Sequence, residues 1–357
     1  MSDNSLFFAC VMAGGSGERF WPMSRAQTPK HLLKLLSDRT LVEETVRRIG
    51  AVVPRENIFV LTNEVQLAAT RVALAGLVPV GQIIAEPAKR DTAPAAALAT
   101  ALVRARAGEA ATLAMLPADA FIADHETFQT QLGVAMVDAA TRDSLITFGV
   151  KPTFPSTGFG YLEVGPESSR HLGRFPIRKV TRFVEKPDLT TAERYFADGI
   201  YVWNAGIFVW KVSTFLKEAD HGATELAAFI RDFPQSDAGE FIAQRFPQLH
   251  KTSVDYAIME KSHCVETLLA KFDWDDVGLW TALPKHLKSD AAGNAMRGAV
   301  VTAGAANNIV VSNGRTIALC GVSDLVVVET ADAVLVCHRD AVQDIKKIVQ
   351  QLPQELL

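Results

Sequence analysis

Three glycines in four positions, within Val11-Met12-Ala13-Gly14-Gly15-Ser16-Gly17-Glu18-Arg19-Phe20, follow directly on an apolar run. Positions that lack a Cβ let backbone N–H groups approach a polyphosphate, so Gly14, Gly15, Ser16 and Gly17 read as a phosphate cradle. Arg19, Arg25 and Lys30 add three cations close behind the loop, and Pro22 and Pro29 keep that stretch from becoming an ordinary helix. Fixed cations beside bare backbone donors suit a triphosphate whose leaving group is pyrophosphate. Two familiar phosphate loops fail on spacing. The dinucleotide pattern G-x-G-x-x-G needs glycine where Phe20 stands, and the Walker pattern G-x-x-x-x-G-K needs one where Arg19 stands. Nicotinamide and P-loop chemistry are both disfavoured. Two acidic residues complete the set. Asp119 follows the apolar run 112–116, at the carboxyl edge where α/β sheets place ligands, and Asp276 lies far along the chain in Trp274-Asp275-Asp276-Val277-Gly278. Brought together, two such carboxylates make a hard-oxygen site suited to Mg²⁺ and phosphate oxygens.

The elements that must carry these residues follow from periodicity. Strand-like runs at 7–13, 57–61, 82–85, 112–116 and 145–150 alternate with helical patterns at 40–49, 64–75, 93–107 and 126–141. That alternation predicts a parallel sheet covered by helices. Thr40 with Glu43 forms a capping box, and Pro94 sits where a first helical turn tolerates it. From residue 153 shorter strands and loops, including 180–185 and 201–210, predict an insertion that extends the sheet and closes over its carboxyl edge. Trp203 and Trp210 alternate with apolar neighbours and are read as core. Residues 291–294 read as a linker. Short apolar runs at 299–302, 308–312, 316–320, 325–329 and 333–337 then predict a small all-β module closed by an amphipathic helix at 341–352, with Asn313-Gly314 as a hairpin or coil corner.

The chain has 357 residues, enough for a large domain and a small one, and 48% of them are hydrophobic against 21% charged. Its 36 Lys+Arg and 40 Asp+Glu leave a net charge of −4, so no global positive field recruits nucleic acid or anionic lipid, and phosphate binding must be local. Four cysteines spaced far apart, with no CxxC, predict reduced thiols in a cytoplasmic protein. The apolar run 6–13 is preceded by Asp3 and no Lys or Arg, and reads as a strand rather than a signal peptide. The run 93–103 is cut by Arg104 and falls short of the roughly 20 residues a bilayer span needs.

The segment 14–25 followed by Pro29-Lys30 closely resembles the signature of nucleotide-sugar pyrophosphorylases, and among them the mannose-1-phosphate guanylyltransferases. The likeness continues in order through residues 86–94, 116–119, 158–161, 183–187, 203–208, 253–256 and 274–278. The resemblance implies an α/β fold: a Rossmann-like (GT-A-type) nucleotidyltransferase domain with a mixed, mostly parallel sheet over 1–288. A small left-handed β-helix-like module with a terminal helix is implied over 289–357. It implies transfer of GMP from GTP to mannose 1-phosphate, giving GDP-mannose and pyrophosphate, with Mg²⁺ held by Asp119 and Asp276. Arg19 and Lys30 then hold the triphosphate, while Glu86, Pro87, Arg90 and Thr92 lie along the base. Gly160, Glu185, Lys186, Asn204 and Gly206 form the sugar-phosphate pocket. A homodimer through the β module is also implied, as is the form without an appended isomerase domain. Glu18, Asp91 and Ala120 depart from the residues common at those positions. Two rivals are the same chemistry on another sugar 1-phosphate or nucleotide, and a non-catalytic nucleotide-sugar sensor.

Overall fold

The apolar runs of the first half become strands of one large sheet. A computed structural model describes residues 4–15, 17–165 and 170–357, so Ser16 lies outside the described residues. In chain order the first part contains β1 (Phe7–Met12), α1 (Leu41–Ile49), β2 (Ile58–Asn63), α2 (Glu64–Ala73), β3 (Ile83–Glu86), α3 (Thr92–Ala107), β4 (Thr112–Pro117), α4 (His125–Thr141) and β5 (Leu145–Val150). Then follow β6 (Tyr161–Val164), β7 (His171–Leu172), β8 (Phe175–Val184), α5 (Leu189–Asp198), β9 (Tyr201–Lys211), α6 (Val212–Gly222), α7 (Thr224–Asp232), α8 (Gly239–Arg245) and β10 (Val265–Leu269). The capping box forms as expected: Thr40 N–H donates to Glu43 Oε2 at 2.8 Å, and Glu43 N–H donates to Thr40 Oγ1 at 3.3 Å.

The strand order is β3-β2-β1-β4-β9-β5-β10-β8-β6. The sheet is mixed, as expected: pairing is parallel through β3-β2-β1-β4 and between β5 and β10, and antiparallel wherever β9, β8, β6 or β7 takes part. It is not mostly parallel as expected: antiparallel pairings outnumber parallel ones, because β9 from the insertion enters between β4 and β5 and β6, β7 and β8 add antiparallel strands beyond β10. The pleat sorts side chains to two cores. Phe8, Cys10, Leu113 and Met115 pack with α3, α6 and α7, while Ala9, Val11, Ala114 and Leu116 pack with α1 and α4.

The C-terminal module contains β11 (Ala295–Arg297), β12 (Val300–Ala303), β13 (Ile309–Ser312), β14 (Ile317–Cys320), β15 (Leu325–Glu329), β16 (Val334–His338) and α9 (Ile345–Val349). β11, β13 and β15 stack in parallel register, as do β12 and β14, and β16 closes the larger sheet antiparallel to β15. Asn313-Gly314 joins strands of two different sheets and is therefore a coil corner, not a hairpin. Residues 291–294 are no free linker. Asn294 is fully buried and accepts from the Asn308 amide at 2.8 Å, while Asn308 Oδ1 accepts from Leu325 N–H at 2.9 Å, an asparagine ladder that ties successive coils together. The terminal helix is shorter than 341–352: a 3₁₀ turn over Arg339–Asp344 leads into α9. Ile309, Val311, Val326, Val328, Val342 and Ile345 share one core with Phe20, Trp21, Leu33, Leu41 and Trp280, so packing runs straight across the sequence boundary near residue 288. Among the described residues, no helix is long and apolar enough to cross a membrane.

Candidate active site

Because β1, β2, β3 and β4 run parallel, the loops after β1, β3 and β4 meet at one sheet edge. Gly14 follows β1 and faces Glu86 at the end of β3: a Cβ on Gly14 would lie 3.8 Å from Glu86 Oε2. Burial, then the nearby charge of Asp91, pushes the Glu86 carboxyl up to about 8. Gly17 must be glycine. Its φ is +63°, and a Cβ there would stand 2.5 Å from Lys30 Cβ and 2.6 Å from Lys30 N. That close approach seats Lys30 against the loop. Gly17 also begins the 3₁₀ turn Glu18–Phe20 that presents Arg19, whose buried Nε has no hydrogen-bond partner among the described residues.

Asp119 is delivered by the loop after β4. Arg48 of α1, only 3% exposed, donates to the carbonyls of Ile122 at 3.1 Å and Ala120 at 3.3 Å, which fixes that loop from below. A two-way backbone bridge then zips it to the other acidic motif: Phe121 N–H donates to Asp275 O at 2.8 Å, and Asp275 N–H to Phe121 O at 3.0 Å. The Lys30 ammonium sits between the two motifs, 2.8 Å from Asp119 Oδ2 and hydrogen-bonded to the Asp276 carbonyl. Burial acts to raise the Asp119 carboxyl, but the ammonium of Lys30 outweighs it and holds the group below its ordinary value. Asp276 is shifted the other way, raised by burial and by the like charges of Asp275 and Asp119 against the pull of Lys30.

Hydrogen bonding distinguishes Asp275 from Asp276. Asp275 accepts from Val277 N–H at 2.8 Å and pairs with His286 Nε2 at 3.1 Å, so its side chain shapes the turn. Asp276 instead lines a cavity of about 430 Å³ together with Gly17, Arg19, Lys30 and Asp119. Lys89 and Lys346, which sequence reading does not single out, line the same cavity, and so does Glu18. Arg25 is not among these cations. It pairs with Asp332 of the β module at 3.0 Å.

A larger cleft of about 990 Å³ shares Arg19 and Asp276 with this cavity and extends to Lys186, Trp203 and the loop 151–159. Next to Lys186, Gly160 leaves room for Glu185: a Cβ on it would lie 2.5 Å from Glu185 Oε2. Glu185 Oε1 accepts from the Lys186 ammonium. Asn204 N–H donates to Gly160 O at 2.8 Å, and Asn204 Oδ1 accepts from Thr147 Oγ1 at 2.8 Å and Gly206 N–H at 3.2 Å. The five residues assigned to a sugar phosphate are thus brought together. Asp255, within the matching segment 253–256 but given no role there, belongs with them. It opens a π-helical turn, Asp255–Met259, and accepts from Asn204 Nδ2 at 3.2 Å. Burial, then Glu185, pushes its carboxyl up to about 7.

The assigned base-side segment divides. Glu86 and Pro87 stay at the edge beside the glycine loop. Arg90 donates to the Pro247 carbonyl, and Thr92 Oγ1 accepts from Val254 N–H at 2.9 Å, so these two side chains pin the loop to the segment 247–254. Asp91, with φ +69°, caps α3 by accepting from Thr92 N–H at 2.8 Å.

Among the described residues no group of three or more His, Cys, Asp and Glu side chains stands ready for a metal ion. The Asp119–Asp276 pair supplies hard oxygen donors, and the Asp276 carboxyl, raised first by burial and then by the charges of Asp275 and Asp119, stands where a divalent cation would favour its ionised form. The pair fits an ion that takes its other ligands from phosphate and water.

Residues 8–292 match the family model described as nucleotidyl transferase, and residues 298–352 match the MannoseP isomerase/GMP-like beta-helix domain. Over 356 residues the chain is 37% identical to a mannose-1-phosphate guanylyltransferase of Escherichia coli (strain K12), covering 98% of this chain and 74% of that protein. It is 37% identical over 353 residues to the xanthan biosynthesis protein XanB of Xanthomonas campestris pv. campestris (strain B100), covering 96% of this chain and 72% of that one. A crystal structure described as mannose-1-phosphate geranyltransferase from Thermus thermophilus superposes with a TM-score of 0.88 at 31% identity, over 97% of this chain and 98% of that one. The chain therefore belongs to the nucleotidyl transferase family, in its mannose-1-phosphate guanylyltransferase branch.

Proposed function

We propose that this protein transfers GMP from GTP to mannose 1-phosphate, releasing pyrophosphate and GDP-mannose. The observation that carries the proposal is the juxtaposition of the Gly17 loop, Arg19 and Lys30 with Asp119 and Asp276 in one cavity that opens into the cleft lined by Lys186. A phosphate oxygen of the sugar 1-phosphate forms a bond to the α-phosphorus, the bond from that phosphorus to the bridging oxygen breaks, and pyrophosphate departs with the electron pair. No covalent nucleophile on the protein is needed, only positioning and charge neutralisation. Arg19 and Lys30 face the region where negative charge grows on the leaving group. Lys186 holds the sugar phosphate, and Glu185, seated by Gly160, accepts from a sugar hydroxyl. Asp119 and Asp276 would hold Mg²⁺, which when bound neutralises phosphate charge.

Glu18 in the cavity and Asp91 beside Glu86 add negative charge near the nucleotide, which makes the choice of triphosphate the first thing to measure. Purified protein incubated with each pairing of GTP, ATP, UTP or CTP with mannose or glucose 1-phosphate should release pyrophosphate fastest with GTP and mannose 1-phosphate. Turnover only with another pair would reassign the substrates. A silent panel with tight GDP-mannose binding would indicate a sensor. We also propose a homodimer through the β module in the cytoplasm: Val334 and Val336 are exposed on the edge strand β16, and the four cysteines form no disulfide. Light scattering should give a dimer mass, and Val336→Lys should halve it.

A further inference from the structure

The nucleotidyl-transfer cavity is completed from the other end of the chain. α9 is anchored by Ile345, which is 1% exposed in the core shared with Phe20 and Trp280, and the neighbouring Lys346 reaches the cavity wall beside Arg19 and Lys89. The two lysines of this helix differ in their pairing. Lys347 is held by Asp344 at 2.7 Å, whereas Lys346 has no ion-pair partner among the described residues. The packing that places α9 is specific: the Trp21 indole N–H donates to Leu356 O at 3.1 Å, Ala26 N–H donates to Leu357 O at 3.1 Å, and Arg25 pairs with Asp332 at 3.0 Å. Trp21 and Arg25 of the glycine-loop signature segment, and Ala26 just after it, are thus gripped by the C-terminal module.

Charge accounts for why a cation is needed there. Lys30 is committed to Asp119, and Glu18 adds a third carboxylate to those of Asp119 and Asp276 in the cavity wall. A polyphosphate end carrying several negative charges enters against those acids unless further cations face it. Among the described residues, Arg19, Lys89 and Lys346 are the cations of the wall not tied to a carboxylate.

We propose that Lys346 binds the β- and γ-phosphates of the nucleotide and the pyrophosphate that departs, so that the C-terminal module is a working part of the active site. This rests on the reading of the cavity as a nucleotidyl-transfer site. The test is calorimetric binding of inorganic pyrophosphate, with and without Mg²⁺, to the full chain carrying Lys346→Ala, Lys346→Arg or Lys347→Ala, with KM for each substrate alongside. A single charge-assisted contact predicts that Lys346→Ala weakens pyrophosphate binding by about tenfold to a hundredfold. KM for GTP rises in parallel, KM for the sugar phosphate stays within about twofold, Lys346→Arg recovers most of the loss, and Lys347→Ala binds like the wild type. Unchanged pyrophosphate affinity in Lys346→Ala overturns the proposal. An equal loss in Lys347→Ala also overturns it, because that means diffuse charge, and so does a wild type that binds no pyrophosphate. If instead the wild type binds pyrophosphate through Lys346 but turns over no GTP with mannose 1-phosphate, the substrate assignment fails and this one stands.

Discussion

Asp255→Asn is expected to make the protein's stability less sensitive to a rise in pH from mildly acidic to neutral. Asp255 lies buried beneath Asn204, and burial, then the charge of Glu185, moves its carboxyl from an ordinary 3.8 to about 7. A raised folded value means that the fold favours the uncharged form. Its contribution to stability is fully present below the unfolded value and is lost as pH rises through about 7. That rise corresponds to at most about 4 kcal/mol over the whole range, of which about 2 kcal/mol falls between pH of about 5.5 and 8.5. Asparagine keeps a carbonyl oxygen that can accept from Asn204 Nδ2, now 3.2 Å away, and cannot ionise. Equilibrium urea unfolding of both proteins, followed by tryptophan fluorescence at the two pH values, should show the variant gaining about 2 kcal/mol on the wild type toward alkaline pH. A stability difference that stays constant, or that shrinks with rising pH, would refute the reasoning, since it would mean that Asp255 is ionised in the fold throughout.

Gly17→Ala places a methyl group 2.5 Å from Lys30 Cβ at a φ of +63°, so thermal stability should fall and kcat/KM should drop by more than about tenfold. Asp276→Asn should lower Mg²⁺-dependent kcat by about a hundredfold or more with little change in Tm. Asp275→Ala, which leaves Val277 N–H and His286 unpartnered, should instead cost about 1–3 kcal/mol of stability. Lys30→Met should reduce kcat by about a hundredfold while KM for the sugar phosphate stays within about threefold, because the missing charge acts on the leaving group. Initial-rate kinetics and thermal melts separate these cases.

What the sequence made legible was local. The Thr40–Glu43 box and the strand–helix alternation are each written in neighbouring residues, and each forms as read. The residues that escape notice depend on partners far away. Arg48 looks like a surface charge at the end of a helix until the loop after β4 closes over it. Asn294 sits in an Ala-Gly-Asn string that resembles a linker, and its role needs Asn308 one coil later. Arg25 stands among the phosphate-binding cations in sequence, yet its partner Asp332 lies 307 positions on. Asp255 takes its raised pKa from burial beneath β9, a strand whose place between β4 and β5 no local pattern encodes. That the Val277 turn uses the side chain of Asp275 is likewise seen only in the folded chain.

Phosphorus NMR of the purified chain with GTP, mannose 1-phosphate and Mg²⁺ tests nucleotidyl transfer most directly. Pyrophosphate and the two coupled resonances of GDP-mannose should grow in equal amounts as the α-, β- and γ-phosphate signals of GTP decline, and Asp276→Asn should nearly abolish both. Orthophosphate as the main product, or GTP left intact while mannose 1-phosphate is consumed, would contradict it.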